Sequence, residues 1–270
     1  MVSDKIKTQS VEVPTIGFGT YRLTGSEGIK AIENALQIGY RHFDTAQVYD
    51  NEVEVGIAIK NSGINRSEIF ITTKVFPPNF TRLITAVEES LKKLKTDHVD
   101  LLLLHWPSED ETNMRGIDYL NEAIKKGYTK SIGVSNFNLD QIFKAVAQAP
   151  IICNQVEYHP YISQQKMLTY LRKENMFLSA YSPLAKGKVL KDAILQELAF
   201  KYKRTTSQVT LRWLIQQGDI AVIPKASSAE RIKENLNIFD FALSEEDMGV
   251  IYSLSDNHRI TNPAWAPKWD

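Results

Sequence analysis

A chain of 270 residues is longer than the usual single domain, but one α/β barrel commonly takes about 250, so length alone leaves one domain or two open. With 43% hydrophobic, 10% aromatic and 24% charged residues, the chain can bury a sizeable core, which excludes intrinsic disorder and a disulfide scaffold. Its 32 Lys and Arg balance 32 Asp and Glu, so no global field gathers nucleic acid or anionic lipid, neither partner is expected, and any anion must be caught locally.

Residues 1–7 lack the apolar core of a signal peptide, and no run approaches the roughly 18 apolar residues of a membrane span, so a cytoplasmic location is expected. Short apolar runs at 16–18, 40–43, 69–73, 99–104, 131–134, 151–153, 177–181 and 220–223 are strand-length. Most are apolar on both faces, as parallel strands covered on both sides should be. Between them lie segments of helical spacing, such as Ile29, Ile32 and Leu36, or Leu83, Val87, Leu91 and Leu94, which read as one-sided outer helices. Thr206 is expected to cap a helix that Gly218 ends, and Ser244 with Asp247 resembles a capping box. The only cysteine, Cys153, sits in an apolar stretch, which excludes intramolecular disulfides and thiolate clusters and predicts a buried, inert thiol.

Strand–helix alternation permits a closed barrel or an open doubly wound sheet. The open sheet normally carries a Gly-x-Gly-x-x-Gly turn after its first strand; Gly17-Phe18-Gly19 lacks the third glycine and no full match occurs elsewhere. The pattern therefore favours a single-domain (β/α)8 TIM barrel over residues 1–270. No linker or low-complexity tract divides it.

The residues that end the apolar runs are the informative ones. Asp44, Lys74 and His105 close three successive runs, and Ser135-Asn136, Gln155, Tyr181-Ser182 and Lys225 follow others. In a parallel barrel these exits gather on the C-terminal rim, where barrel enzymes place their chemistry. Loops are wet, so one polar exit means little. Converging charges at a barrel mouth, however, are costly unless they pair or serve a ligand. His42, Asp44 and His105 could ligate a metal, but their spacing is not compact and Lys74 would repel a divalent cation, so no metal is expected. Asp44 with Lys74 reads as an ion pair.

Tyr49 lies in the loop after Asp44, close enough to return over the mouth. Beside a lysine its phenol is a candidate proton donor. An adjacent ammonium favours phenolate, and a lowering of ~2 to 3 pKa units would represent roughly 3 to 4 kcal/mol. Asp44 would keep Lys74 charged, and a neutral His105 could hydrogen-bond the same substrate oxygen.

These residues stand in stretches that resemble the aldo-keto reductases: Gly39-Tyr40-Arg41-His42-Phe43-Asp44-Thr45-Ala46 with Tyr49, Thr72-Thr73-Lys74, Val99-Asp100-Leu101 through His105-Trp106-Pro107, Ile132-Gly133-Val134-Ser135-Asn136-Phe137, Asn154-Gln155-Val156-Glu157, Tyr181-Ser182-Pro183-Leu184 and Ile223-Pro224-Lys225. The likeness covers nearly the whole chain, and its length and ending are most similar to the small bacterial members. It implies a barrel that binds NADPH/NADP+ across its rim and reduces aldehydes and ketones by hydride transfer, with Asp44, Tyr49, Lys74 and His105 as the catalytic tetrad and Tyr49 as general acid. It further implies that Ser135, Asn136 and Gln155 hold the nicotinamide carboxamide and that Tyr181 stacks on the ring. Ser182 and Leu184 belong to the same coenzyme rim, with Glu234 and Asn235 near the adenine.

The phosphate end has an independent argument. Ser227-Ser228-Ala229-Glu230 is a capping-box pattern opening a helix, and helix N-termini present free amides to anions. Lys225 and Arg231 add positive charge suited to an adenosine 2′-phosphate, hence NADPH over NADH. Many relatives carry Ser or Thr after the Pro-Lys where this chain has Ala226. One phosphate hydrogen bond is then missing or falls to Ser227 or Ser228.

A substrate above Tyr49 and His105 would be walled by Tyr21, Phe76 and Trp106 and by the tail with Trp265 and Trp269, an apolar cleft for small aldehydes, dicarbonyls or keto-sugars such as 2,5-diketo-D-gluconate. A phosphate-binding barrel lyase or isomerase would need a glycine-rich turn that 223–227 lacks. A cofactor-binding regulatory protein on the same fold, with little turnover, is the alternative, and the intact tetrad argues against it. Without an obvious exposed apolar helix stripe, the expected state is a monomer.

Overall fold

The computed structural model describes residues 4–270, so residues 1–3 of the opening stretch lie outside the described residues. An antiparallel hairpin of β1 (Lys5–Lys7) and β2 (Glu12–Pro14) comes first. Eight parallel strands follow: β3 (Phe18–Gly19), β4 (His42–Asp44), β5 (Phe70–Val75), β6 (Val99–Leu104), β7 (Thr129–Ser135), β8 (Ile151–Glu157), β9 (Phe177–Tyr181) and β10 (Ile220–Ile223). Each pairs with the next in chain order. The last meets the first where Gly17 N donates to Val222 O at 2.8 Å, Val222 N to Thr15 O at 2.8 Å and Gly19 N to Pro224 O at 3.0 Å. The sheet closes as a (β/α)8 barrel, as expected.

The helices are α1 (Gly25–Ile38), α2 (Glu52–Asn61), α3 (Leu83–Leu94), α4 (Asp110–Lys125), α5 (Leu139–Gln148), α6 (Gln165–Lys173), α7 (Ala193–Tyr202), α8 (Thr206–Gln216), α9 (Ala229–Leu236) and α10 (Glu245–Tyr252). The expected stripes bury: Ile32 and Leu36 in α1, Leu83, Val87, Leu91 and Leu94 in α3. No helix among the described residues is long and apolar enough to cross a membrane.

Three strands stand at their predicted bounds, 99–104, 177–181 and 220–223. The largest difference is at 151–153, which extends through Asn154, Gln155 and Val156 to Glu157. Polarity looked like a strand end there, but these side chains find hydrogen bonds inside the fold, so the ladder continues. Capping also shifts by one residue. Thr205, not Thr206, caps α8 and exchanges bonds with Gln208, because the residue with extended backbone takes the cap; Gly218 follows the helix end at φ +81°. Ser244 caps α10 as predicted.

The hairpin was not anticipated, since three-residue strands carry too little periodicity. It plugs the N-terminal end of the barrel: Ile6 and Val13 pack with Phe70, Leu101, Leu103, Ile152, Phe177, Ala221 and the fully buried Cys153.

Gly133 in β7 shows how tight the barrel is. A Cβ there would lie 2.6 Å from Leu103 Cδ2 and 2.8 Å from the Cys153 carbonyl oxygen. Gly133→Ala should lower unfolding free energy by about 1 to 3 kcal/mol, read from the midpoint of denaturant unfolding at an unchanged slope.

Candidate active site

Asp44 ends β4, Lys74 lies within β5, His105 follows β6, and Tyr49 sits in a 3-10 turn, Gln47–Tyr49, just beyond β4. The structure brings all four together. Lys74, fully buried, donates through Nζ to Asp44 Oδ1 at 2.5 Å and to the Thr45 carbonyl at 2.7 Å. The other Asp44 oxygen accepts from Gln155 Nε2 at 2.8 Å. Lys74 Nζ also lies 5.0 Å from the centroid of the Tyr49 ring, which meets His105 edge-on at 5.6 Å between centroids.

Burial dominates the electrostatics. It pushes Lys74 below its ordinary range, against the pull of Asp44. His105 falls well below 6.5, first through burial and then through Lys74, so its imidazole is neutral. Tyr49 differs from expectation: its phenol is pushed well above 10, by desolvation first and then by Asp44 and Tyr21. A neighbouring ammonium was expected to make it more acidic. Desolvation of the phenolate wins, and the carboxylate that holds the ammonium adds to the rise rather than opposing it.

Sequence reading passed over the residues that hold the Tyr49 turn. Gln47 Nε2 donates to Ala86 O at 2.9 Å and Ser90 Oγ at 3.0 Å, tying the turn to α3. Asn51, fully buried, donates to Thr20 O at 2.6 Å and Leu23 O at 3.0 Å and accepts from Thr45 Oγ1 at 2.8 Å. Glu52, raised by burial, accepts from Thr73 Oγ1 at 2.6 Å. Their signal was a Gln, an Asn and a Glu clustered around the loop tyrosine.

The residues that the resemblance assigned to the nicotinamide are also brought together, and satisfied internally. Ser135 Oγ donates to Gln155 O at 2.9 Å; Asn136 Nδ2 donates to His105 O and to Ser135 Oγ, each at 3.1 Å; Asn136 Oδ1 accepts from Tyr181 OH at 2.8 Å. A carboxamide placed here would exchange with the Tyr181 hydroxyl. Asn136, Ser182, Ala185 and Lys186 all hold positive φ without being glycine, a concentration of strained backbone along this rim beside the half-buried Leu184.

At the phosphate end, Ser228 rather than Ser227 caps α9, accepting from Arg231 N at 3.4 Å, because Ser228 holds the extended backbone next to the first turn. Lys225, Ser227 and Arg231 are exposed, and among the described residues neither cation is in an ion pair, an arrangement that fits a phosphate. Asn235 is buried on the inner side of α9, and Glu234 accepts from Thr205 Oγ1 at 2.7 Å.

The aromatic residues named as a wall lie in contact with the tetrad or with one another. Tyr21, half exposed, meets Tyr49 at 5.0 Å; Phe76 meets His105 at 6.0 Å; Trp265 packs on Phe76 at 6.0 Å and on Trp106 at 4.8 Å, and Trp269 on Trp106 at 6.2 Å. Among the described residues no three His, Cys, Asp or Glu side chains are grouped to hold a metal ion.

The Aldo/keto reductase family profile matches residues 15–256. The chain is 40% identical over 266 residues to methylglyoxal reductase DkgB of Escherichia coli O157:H7, covering 96% of this chain and 99% of that one. It is 38% identical to glyoxal reductase of Bacillus subtilis (strain 168), covering 96% and 95%. A crystal structure provisionally described as a 2,5-diketo-D-gluconic acid reductase B superposes with a TM-score of 0.93 at 45% identity, covering 98% of each chain.

Neutral His105 has a thermodynamic signature. Below pH 6.5 the unfolded chain takes up a proton on this histidine that the native state refuses, so stability rises with pH up to 6.5 and falls as pH drops beneath it. Imidazole NMR resonances of His105 should remain those of the neutral ring at pH 6.5, where an exposed histidine is half protonated.

Proposed function

The chain belongs to the aldo/keto reductase family, and from that premise we propose that it is an NADPH-dependent reductase of small aldehydes and dicarbonyls in which Tyr49 is the proton donor. The observation that carries this reading is the buried Lys74–Asp44 pair set beneath Tyr49, with neutral His105 on the same side of the mouth. Reduced nicotinamide coenzyme, when bound, supplies hydride to the carbonyl carbon.

The chain's own residues do the rest. Among the described residues neither the Tyr49 hydroxyl nor His105 Nε2 has a protein hydrogen-bond partner, whereas His105 Nδ1 is buried and faces away from solvent. Both are therefore available to a carbonyl oxygen. Desolvation keeps the proton on Tyr49 Oη until a developing alkoxide, far more basic than water, takes it. The Lys74 ammonium faces the ring that then carries negative charge, and Asp44 and Thr45 hold that ammonium in place. Ser135, Asn136, Gln155 and Tyr181 would hold the nicotinamide end. Lys225, Ser227 and Arg231 would take the 2′-phosphate, with Ser227 or Ser228 in place of the hydroxyl that Ala226 lacks.

The substrate class rests on the aromatic wall and on the relatives, which are named for methylglyoxal, glyoxal and diketogluconate. Phe76, Trp106 and Trp265 narrow the mouth above His105, which suits a compact dicarbonyl. The intact tetrad favours turnover over a purely regulatory role.

Tyr49→Phe keeps the ring and removes the proton. It should bind NADPH within about twofold of wild type, by quenching of protein fluorescence, and lose at least about 100-fold in kcat for methylglyoxal. Near-normal turnover would dismiss Tyr49 as donor. Arg231→Ala should weaken NADPH at least about tenfold more than NADH, read from the two dissociation constants; equal weakening would remove the 2′-phosphate assignment.

A further inference from the structure

The segment 256–270 crosses the barrel mouth and supplies Trp265 to the substrate wall, yet no residue from 252 to 270 is buried. A cavity of about 220 Å³ lies under it, lined in part by Phe137, Val156, Arg259, Trp269 and Asp270. Hydrophobic contact fastens it only in part, through the half-buried Ile260 against the core and the two tryptophans against Phe76 and Trp106. Its polar attachments are few. Ile260 N donates to Glu157 Oε1 at 2.6 Å and Thr261 N to Glu157 Oε2 at 2.7 Å. His258 N donates to Tyr161 O at 2.9 Å. At the far end the Asp270 carboxylate accepts from Leu139 N at 2.9 and 3.1 Å, and Lys268 O accepts from Asn138 Nδ2 at 3.0 Å. Arg259 lies 3.6 Å over the Trp269 ring and staples the segment to itself.

Glu157 is the unusual member of this set. It is fully buried, ends β8 and stands in register with Tyr181 of β9. Desolvation alone would raise its carboxyl, but His159, whose Nε2 lies 2.8 Å away, and the two backbone N–H groups outweigh it and hold the pKa below its usual range. A buried carboxylate is tolerated only when its oxygens are satisfied, and here two of the donors come from the crossing segment. The dependence is mutual: the segment satisfies the charge, and the charge holds the segment.

We infer that Glu157 is a positioning residue that anchors the segment 256–270 across the mouth and, through Trp265 against Phe76 and Trp106, sets the size of carbonyl compound admitted to His105 and Tyr49. The inference rests on the reductase reading of this site. Its two clamps bracket the wall: Glu157 at 260–261 and the α5 N-terminus at Asp270, with Trp265 between them. Releasing either end should loosen the wall while leaving the tetrad untouched.

Glu157→Gln keeps the shape but presents an amide N–H₂ to a backbone N–H donor, so one bond becomes a repulsion. With NADPH as coenzyme, the ratio of kcat/KM for 2-naphthaldehyde to that for methylglyoxal should rise at least about fivefold. The change should come mainly through KM, with the NADPH dissociation constant within about twofold. Hydrogen exchange at the amides of Ile260 and Thr261 should quicken in the same variant. Asp270→Ala, at an exposed position that cannot unfold the barrel, should shift selectivity in the same direction and serves if Glu157→Gln does not fold. An unchanged ratio overturns the specificity role even if exchange quickens, and unchanged exchange in Glu157→Gln overturns the anchor. If the wild-type protein reduces neither carbonyl, the reductase reading fails, while amide exchange at 260 and 261 still decides whether Glu157 is the anchor.

Discussion

A charged ammonium with no exposure to solvent is the constraint around which the mouth of this barrel is built. Lys74 needs a counter-charge and further acceptors to remain in the interior, and Asp44 and Thr45 O supply them from β4 and the residue after it. Asp44 in turn needs a donor for its second oxygen, which comes from Gln155 on β8, across the barrel. One ion pair thereby ties β4, β5 and β8 together at the level where their side chains point inward. Removing either charge alone would leave its partner buried and uncompensated, typically a cost of 3 to 5 kcal/mol or so, more than the pair adds as a whole.

The pair also decides what its neighbours can do. Both neighbours are governed first by desolvation, with Lys74 adding to the lowering of His105 and Asp44 to the raising of Tyr49: the histidine gives up its proton and the phenol keeps its own. A neutral imidazole and a protonated phenol beside one another form a hydrogen-bonding surface with little charge, suited to a carbonyl oxygen. The Tyr49 turn keeps its position through Gln47 and Asn51, whose bonds reach α3 and the loop before α1.

The rim has two kinds of construction. The side lined by Asn136, Ser182, Ala185 and Lys186 carries left-handed backbone that the surrounding barrel must stabilise. The side covered by 256–270 is a strap with almost no core of its own, held at Glu157 and at the start of α5. Rigid strands position the chemistry, and a segment of low intrinsic stability borders the entrance.

From the sequence alone came the alternation of apolar runs and amphipathic stripes, and with it the barrel; so did the gathering of Asp44, Lys74 and His105, because residues that end parallel strands must share a rim. Each of these follows from local periodicity and chain direction. Tertiary structure decided the rest. Gln155 and Glu157 proved to lie inside a strand, because partners 111 and 103 residues distant satisfy them. Tyr49 proved less acidic than its neighbour suggested, because burial desolvates its phenolate and Asp44, which holds the ammonium, adds to the rise. The hairpin plug, the Ser228 cap and the Glu157 clamp likewise depend on groups far apart in the chain or on one backbone angle. A side chain's charge and its permission to be buried are set by what surrounds it in space, and linear spacing carries no record of that.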